Sequence, residues 1–126
     1  MSPKKILVVD DESDIREVAQ MSLEMVSGWQ VLTAESGDDG IAKATQEKPD
    51  AILLDAMMPS MDGTATFQKL QSDPTTKQIP VIMFTAKVQA ADRKRFSDLG
   101  VKDVIAKPFD PVKLGSQIAA ILGWSV

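Results

Sequence analysis

Three short apolar runs decide what this chain can fold into: Ile6-Leu7-Val8-Val9, Ala51-Ile52-Leu53-Leu54 and Val81-Ile82-Met83-Phe84. They are continuous rather than alternating, so a strand built from any of them has no polar face to turn toward water. Runs of this kind belong to parallel strands covered on both faces. Two weaker runs, Val31-Leu32-Thr33-Ala34 and Val104-Ile105-Ala106, suit edge strands.

Helical patterns lie between the runs. Ile15, Val18, Ala19 and Val26 form the first, and Ile41, Ala44 and Thr45 the second. Gly63, Phe67 and Leu70 form the third, and Ala91 or Asp92 leads to Phe96 and Leu99 in the fourth. Leu114, Ile118, Ile121 and Leu122 give the fifth a one-sided stripe. Asp110-Pro111 supplies this last helix with a cap and a first residue, and Gly100 and Gly123 stop the fourth and fifth helices.

Five strands alternating with five helices predict an α/β fold with right-handed crossovers. With the weak second and fifth strands at the edges, the expected order is 2-1-3-4-5, a doubly wound, flavodoxin-like sheet with helices on both faces. In such sheets the functional crevice lies at the carboxyl ends of the strands.

Composition narrows the chemistry. The 126 residues suit one domain, and the formal charge of −4 makes bare nucleic acid a poor partner. Cys and His are absent, which excludes disulfides, thiolate chemistry, histidine metal ligands and a phosphohistidine of the chain's own. No apolar stretch is long enough to span a bilayer, and the N-terminus lacks a signal-peptide core. The expected compartment is the cytoplasm, without membrane insertion.

The first strand ends in Asp10-Asp11-Glu12, the third in Asp55 and the fourth in Thr85-Ala86; the fifth is followed by Lys107-Pro108. Singly, these are ordinary: helix-start acids, a turn residue, a strand-end hydroxyl, a solvated lysine. One topology would bring all four groups to one rim. Carboxylates gathered there repel each other, and Mg²⁺ with oxygen ligands is the simple remedy. Asp10, Asp11 and Asp55 would then be balanced by Mg²⁺ and Lys107. The methionines of Asp55-Ala56-Met57-Met58-Pro59-Ser60-Met61-Asp62-Gly63 suit hydrophobic cover, since thioether sulfur is too soft for Mg²⁺. Pro59 forces a turn, and Asp62-Gly63 can open the next helix.

The string Leu53 to Gly63 resembles the phosphorylation-site segment of response-regulator receiver domains in two-component signalling. Ile6 to Glu12, Thr85-Ala86 and Ala106-Lys107-Pro108-Phe109 resemble the family's other three signatures, and the likeness covers residues 4 to 122. It implies a chemotaxis-regulator-like receiver domain; with four residues after Leu122, a single-domain regulator without an output domain is expected, the alternative being a domain excised from a longer protein. It implies Asp55 as phosphoacceptor, with Thr85 and Lys107 binding the phosphoryl oxygens. It implies Mg²⁺ held by Asp11 and Asp55, by Asp10 directly or through water, and by the Met57 carbonyl. The Lys107-Pro108 peptide is expected to be cis. The implied donor is a histidine kinase or a histidine phosphotransfer protein, and the implied output is docking on a downstream protein. Such a chain catalyses its own phosphorylation and dephosphorylation but is not a turnover enzyme.

The chemistry agrees with the likeness. A carboxylate can attack phosphorus to form an acyl phosphate, and catalysis is then mainly positioning and charge neutralisation. Small Ala86 leaves the approach to Asp55 open. The chain has no nucleotide-binding GxxxxGK[ST], so the phosphate comes from outside. A flavodoxin-like electron carrier fits poorly, because Asp10-Asp11-Glu12 would repel a flavin phosphate. A haloacid-dehalogenase-type phosphatase needs an Asp two residues after its nucleophile, which neither Asp10 nor Asp55 has. The remaining alternative is a receiver-like interaction module that works without phosphorylation. One position departs from the family: Val104 stands where an aromatic residue is usual, so the usual aromatic switch is not available there. Arg93-Lys94-Arg95 could form part of a docking face or a plain solvated helix surface.

Overall fold

The computed structural model describes residues 4–58, 63–86 and 89–124. Five strands alternate with five helices: β1 (Lys5–Val9), α1 (Ser13–Met25), β2 (Gln30–Ala34), α2 (Gly37–Glu47), β3 (Ala51–Asp55), α3 (Gly63–Ser72), β4 (Val81–Thr85), α4 (Ala90–Leu99), β5 (Asp103–Ala106) and α5 (Leu114–Leu122). The strands form one parallel sheet in the order β2-β1-β3-β4-β5, as the strengths of the five runs predict.

Successive side chains along a strand point to opposite faces. Leu7, Val9, Ile52, Leu54, Val81 and Met83 therefore enter one core layer, packed against Ala44 of α2, Phe67 and Leu70 of α3 and Phe96 of α4. Ile6, Val8, Leu53, Ile82, Phe84 and Ile105 enter the other, under Ala19 and Leu23 of α1 and Leu114 and Ile118 of α5. Both faces are covered, which is why the central runs carry no polar alternation. β3 and β4 are buried along their whole length, whereas β2 and β5 each begin with an exposed residue.

Three local expectations change. The sheet-facing residues of α1 are Ala19, Ser22 and Leu23, with Ile15 partly buried, while Val18 and Val26 are exposed. They fall off the face that the 3.6-residue period turns toward the sheet. Thr45 likewise points outward, its Oγ1 donating to the Ile41 carbonyl at 2.9 Å. The fifth helix begins at Leu114 rather than Pro111. Asp110 caps a separate turn instead, its Oδ1 accepting from Val112 N–H at 3.0 Å while its carbonyl accepts from Lys113 N–H. The glycine stops hold: Gly100 and Gly123 have φ of 108° and 72°, a left-handed backbone that glycine adopts without steric cost. The turn at Pro59–Asp62 lies outside the described residues.

The start of α3 is seated directly on the end of β3. A Cβ at Gly63 would lie 2.5 Å from the Asp55 carbonyl oxygen and 2.6 Å from the Ala56 Cα, both backbone atoms that cannot swing aside. The Gly63 N–H donates to the Ala56 carbonyl at 3.1 Å. Gly63→Ala is expected to cost at least about 2 kcal/mol in urea unfolding, because overpacking against fixed backbone must move the helix or the strand end. An unchanged midpoint would mean that the helix is not held against Asp55.

Candidate functional site

All strands of a parallel sheet run the same way, so the ends of β1, β3, β4 and β5 share one rim. Asp10 follows β1, Asp55 closes β3, Thr85 closes β4 and Lys107 follows β5. Backbone bonds extend the sheet one step past the strands. Asp10 N–H donates to the Ala34 carbonyl at 3.0 Å, and Lys107 N–H donates to the Thr85 carbonyl at 2.9 Å. The side chains therefore leave a rigid edge. Asp10 is fully buried, Asp55 and Thr85 nearly so, and Asp11 is exposed.

The charged groups meet across the rim. Lys107 Nζ donates to Asp10 Oδ2 at 2.6 Å and lies 3.5 Å from Asp55 Oδ2. It also sits 4.9 Å from the centroid of the Phe84 ring, which packs on Phe109. The other carboxylate oxygens are turned inward by local backbone: Asp10 Oδ1 accepts from Glu12 N–H and Asp55 Oδ1 from Met57 N–H, each at 2.9 Å. One oxygen from each of Asp10, Asp11 and Asp55 falls within 4.8 Å of the others. Three carboxylates and one ammonium leave this cluster two negative charges in excess. A set of hard oxygen donors with that surplus suits a hard divalent cation such as Mg²⁺.

Burial and the neighbouring charges both act on the titration of the groups. Burial pushes the Asp55 carboxyl up from 3.8 to about 6. The Met57 N–H pulls down, Asp10 pushes up, Lys107 pulls down and Asp11 adds a further push up. Burial disfavours the Lys107 ammonium, but its bond to Asp10 and the charges of Asp10, Asp55 and Glu12 prevail and raise its pKa. Removing one partner from such a buried pair leaves an uncompensated charge, commonly a cost of about 3–5 kcal/mol.

The sequence expectations for this rim are met in placement: Asp10, Asp11, Asp55, Thr85 and Lys107 all stand at neighbouring strand ends, and the Lys107-Pro108 peptide is cis. Met58 is buried in the core layer under α3, as hydrophobic cover requires, while Met57 is exposed and acts through its backbone N–H. Ala86 is exposed beside the rim. Met61 lies outside the described residues. Each cation of Arg93-Lys94-Arg95 faces an acid: Asp103 at 3.6 Å, Asp98 at 3.3 Å and Asp92 at 3.8 Å. Arg16 was not apparent from the motifs, yet its Nη1 donates to the Asp10 carbonyl at 2.7 Å. No helix among the described residues is long and apolar enough to cross a membrane.

Asp55 gives this geometry a measurable pH dependence. Its penalty is absent below about pH 3.8, where folded and unfolded chains both hold the proton. It grows as pH rises from 3.8 to about 6, and it persists above that. Asp55→Asn is therefore expected to stabilise the metal-free protein at pH 7.5 by on the order of 1–3 kcal/mol, and by almost nothing at pH 4. Urea unfolding in the presence of a chelator checks this; equal effects at both pH values would contradict it.

The chain resembles known proteins in sequence and in fold. Residues 6–119 match the family model described as the response regulator receiver domain. The chain is 41% identical over 119 residues to the alkaline phosphatase synthesis transcriptional regulatory protein PhoP of Bacillus subtilis, covering 94% of this chain and 48% of that protein. It is 40% identical over 122 residues to the phosphate regulon transcriptional regulatory protein PhoB of Pseudomonas aeruginosa, covering 97% and 53%. The chain thus spans about half the length of these curated relatives. Among solved structures, chemotaxis protein CheY4 of Vibrio cholerae superposes with a TM-score of 0.89 at 28% identity, over 95% of this chain and 99% of that one. The family match, the relatives and the fold agree, and the chain belongs to the response regulator receiver domain family.

Proposed function

We propose that this receiver accepts a phosphoryl group on Asp55 from the phosphohistidine of a histidine kinase or a histidine phosphotransfer protein. The resulting state would be read by docking on a downstream protein. The observation that carries this reading is the state of Asp55. Its carboxylate is buried at the rim, has one oxygen held by Met57 N–H, and turns the other toward the Lys107 ammonium. Such a carboxylate is oriented before the donor arrives, and orientation supplies much of the catalysis in phosphoryl transfer.

Placement supports the remaining roles in this reading. An Asp55 oxygen forms the bond to phosphorus as the bond from phosphorus to the donor nitrogen breaks, which leaves an acyl phosphate. Lys107 stands close enough to Asp55 to meet the phosphoryl oxygens, and Thr85 stands beside it in the sheet. Asp11 and Asp55, with Asp10 directly or through water and with the Met57 carbonyl, would hold Mg²⁺. When bound, that ion would neutralise the charge of the incoming phosphoryl group. The family's histidine-kinase partners and the acidic pocket support this assignment, and residues 4 to 122 would form the receiver unit.

Readout is expected to be led by the backbone. Val104 is buried and lies on β5 opposite Met83, where a short β-branched side chain has little room to swing. Thr85 would donate to the phosphoryl oxygens and draw the segment after β4 toward Asp55. A ligand shifts a conformational equilibrium by no more than its differential interaction with the two states. One charge-assisted bond from Thr85 is worth about 1.5–3 kcal/mol.

Incubation with a small phosphodonor and Mg²⁺, followed by intact-mass measurement, is expected to add one phosphoryl group to the wild type and none to Asp55→Asn. Thr85→Ala is expected to retain phosphorylation but lose the phosphate-dependent change in amide exchange in α4. A phosphorylated Asp55→Asn chain would overturn the assignment of the acceptor. Equal exchange changes in wild type and Thr85→Ala would remove Thr85 from the readout.

A further inference from the structure

Arg16 is half-buried in the first turn of α1, where a cation sits against the positive end of the helix dipole. That placement costs electrostatic energy, and among the described residues no ion pair offsets it. Arg16 lines a polar cavity with Glu35, Asp39 and Lys43, yet among the described residues no carboxylate lies within 4.0 Å of its guanidinium. Lys43 takes Asp39 at 3.4 Å and also donates to the Thr33 carbonyl. The guanidinium of Arg16 instead donates 2.7 Å to the carbonyl of Asp10.

That carbonyl belongs to the peptide linking Asp10 to Asp11. Every other polar atom of Asp10 is also engaged: its N–H with Ala34, Oδ1 with Glu12 N–H and Oδ2 with Lys107. Asp11 is exposed, and its carboxyl reaches toward Asp55 from the residue that this peptide carries, so its direction depends on the plane of the peptide. We propose that Arg16 is a positioning residue for the divalent-cation site. By fixing the Asp10–Asp11 peptide plane, it aims the Asp11 carboxylate at the point shared with Asp10 and Asp55. This inference rests on the Mg²⁺ site proposed above.

Charge and positioning predict opposite signs. A nearby cation repels Mg²⁺, so if Arg16 acted only through its charge, neutralising it would tighten metal binding. If Arg16 acts through its bond to the Asp10 carbonyl, neutralising it weakens binding, as loss of a partner behind a metal ligand commonly does by about 10- to 100-fold.

The test is calorimetric titration of Mg²⁺, without phosphodonor, into the full wild-type chain, Arg16→Gln, Arg16→Lys and Asp11→Asn. Amide exchange at Asp11 and urea unfolding of each metal-free protein accompany it. Arg16→Gln is expected to weaken Mg²⁺ about tenfold and to speed exchange at Asp11. Arg16→Lys keeps the charge on a shorter reach without the planar fork, and is expected to recover only part of the affinity. Unchanged or tighter binding in Arg16→Gln, with wild-type binding intact, would overturn the positioning role alone. Absence of Mg²⁺ binding in the wild type, or unaltered affinity in Asp11→Asn, would overturn the metal site and this inference with it. If Arg16→Gln does not fold, Arg16→Lys decides: wild-type affinity and wild-type exchange at Asp11 would overturn the proposal.

Discussion

The contact of Lys107 with Asp10 and Asp55 is the interaction on which the functional end of this molecule depends. One ammonium serves two buried carboxylates, at 2.6 and 3.5 Å. It neutralises one negative charge and leaves the other. With Asp11 included, the deficit is two charges, held at the edge of a sheet that cannot relax to disperse them. The protein keeps this imbalance in place through backbone bonds. Glu12 and Met57 N–H groups each hold a carboxylate oxygen, and the sheet extends past β1 and β5 to fix the chain that carries Asp10 and Lys107. Burial first, and the charge of Asp10 after it, lift the Asp55 carboxyl to about 6.

The fold delivers this cluster because parallel strands end together. Asp10 and Lys107 are 97 positions apart in sequence, and the order β2-β1-β3-β4-β5 brings their strands to either side of β3 and β4. The two core layers on opposite faces of the sheet make β3 and β4 stiff, and Asp55 and Thr85 are their last residues. Gly63 then lets α3 start directly against the Asp55 backbone. The packing of the core and the orientation of the acceptor are therefore one problem, solved by the same strands.

Much of this was legible in the residues. Continuous apolar runs reported burial on both faces, the weak runs fell at the edges, and the polar residue at each run's end marked the rim. Less was legible where periodicity gives two equivalent faces. Val18 and Val26 fit a helical stripe but point to solvent, because only the sheet selects which stripe of α1 is buried. Asp110-Pro111 carries real capping chemistry, but the cap closes a turn and the helix starts three residues later. Arg16 escaped the motifs because its contact is with a backbone carbonyl, which leaves no complementary side chain in the sequence. Its one sequence trace is a cation in the first turn of a helix.

The most direct measurement is the titration of the Asp55 carboxyl carbon by NMR, in chelator and then with saturating Mg²⁺. A buried carboxylate with unbalanced negative neighbours titrates near 6 in chelator. A divalent cation coordinated by that carboxylate stabilises its charged form and moves the titration below the ordinary carboxylate range. An Asp55 that titrates at an ordinary value in chelator, or that does not respond to Mg²⁺, would contradict the account.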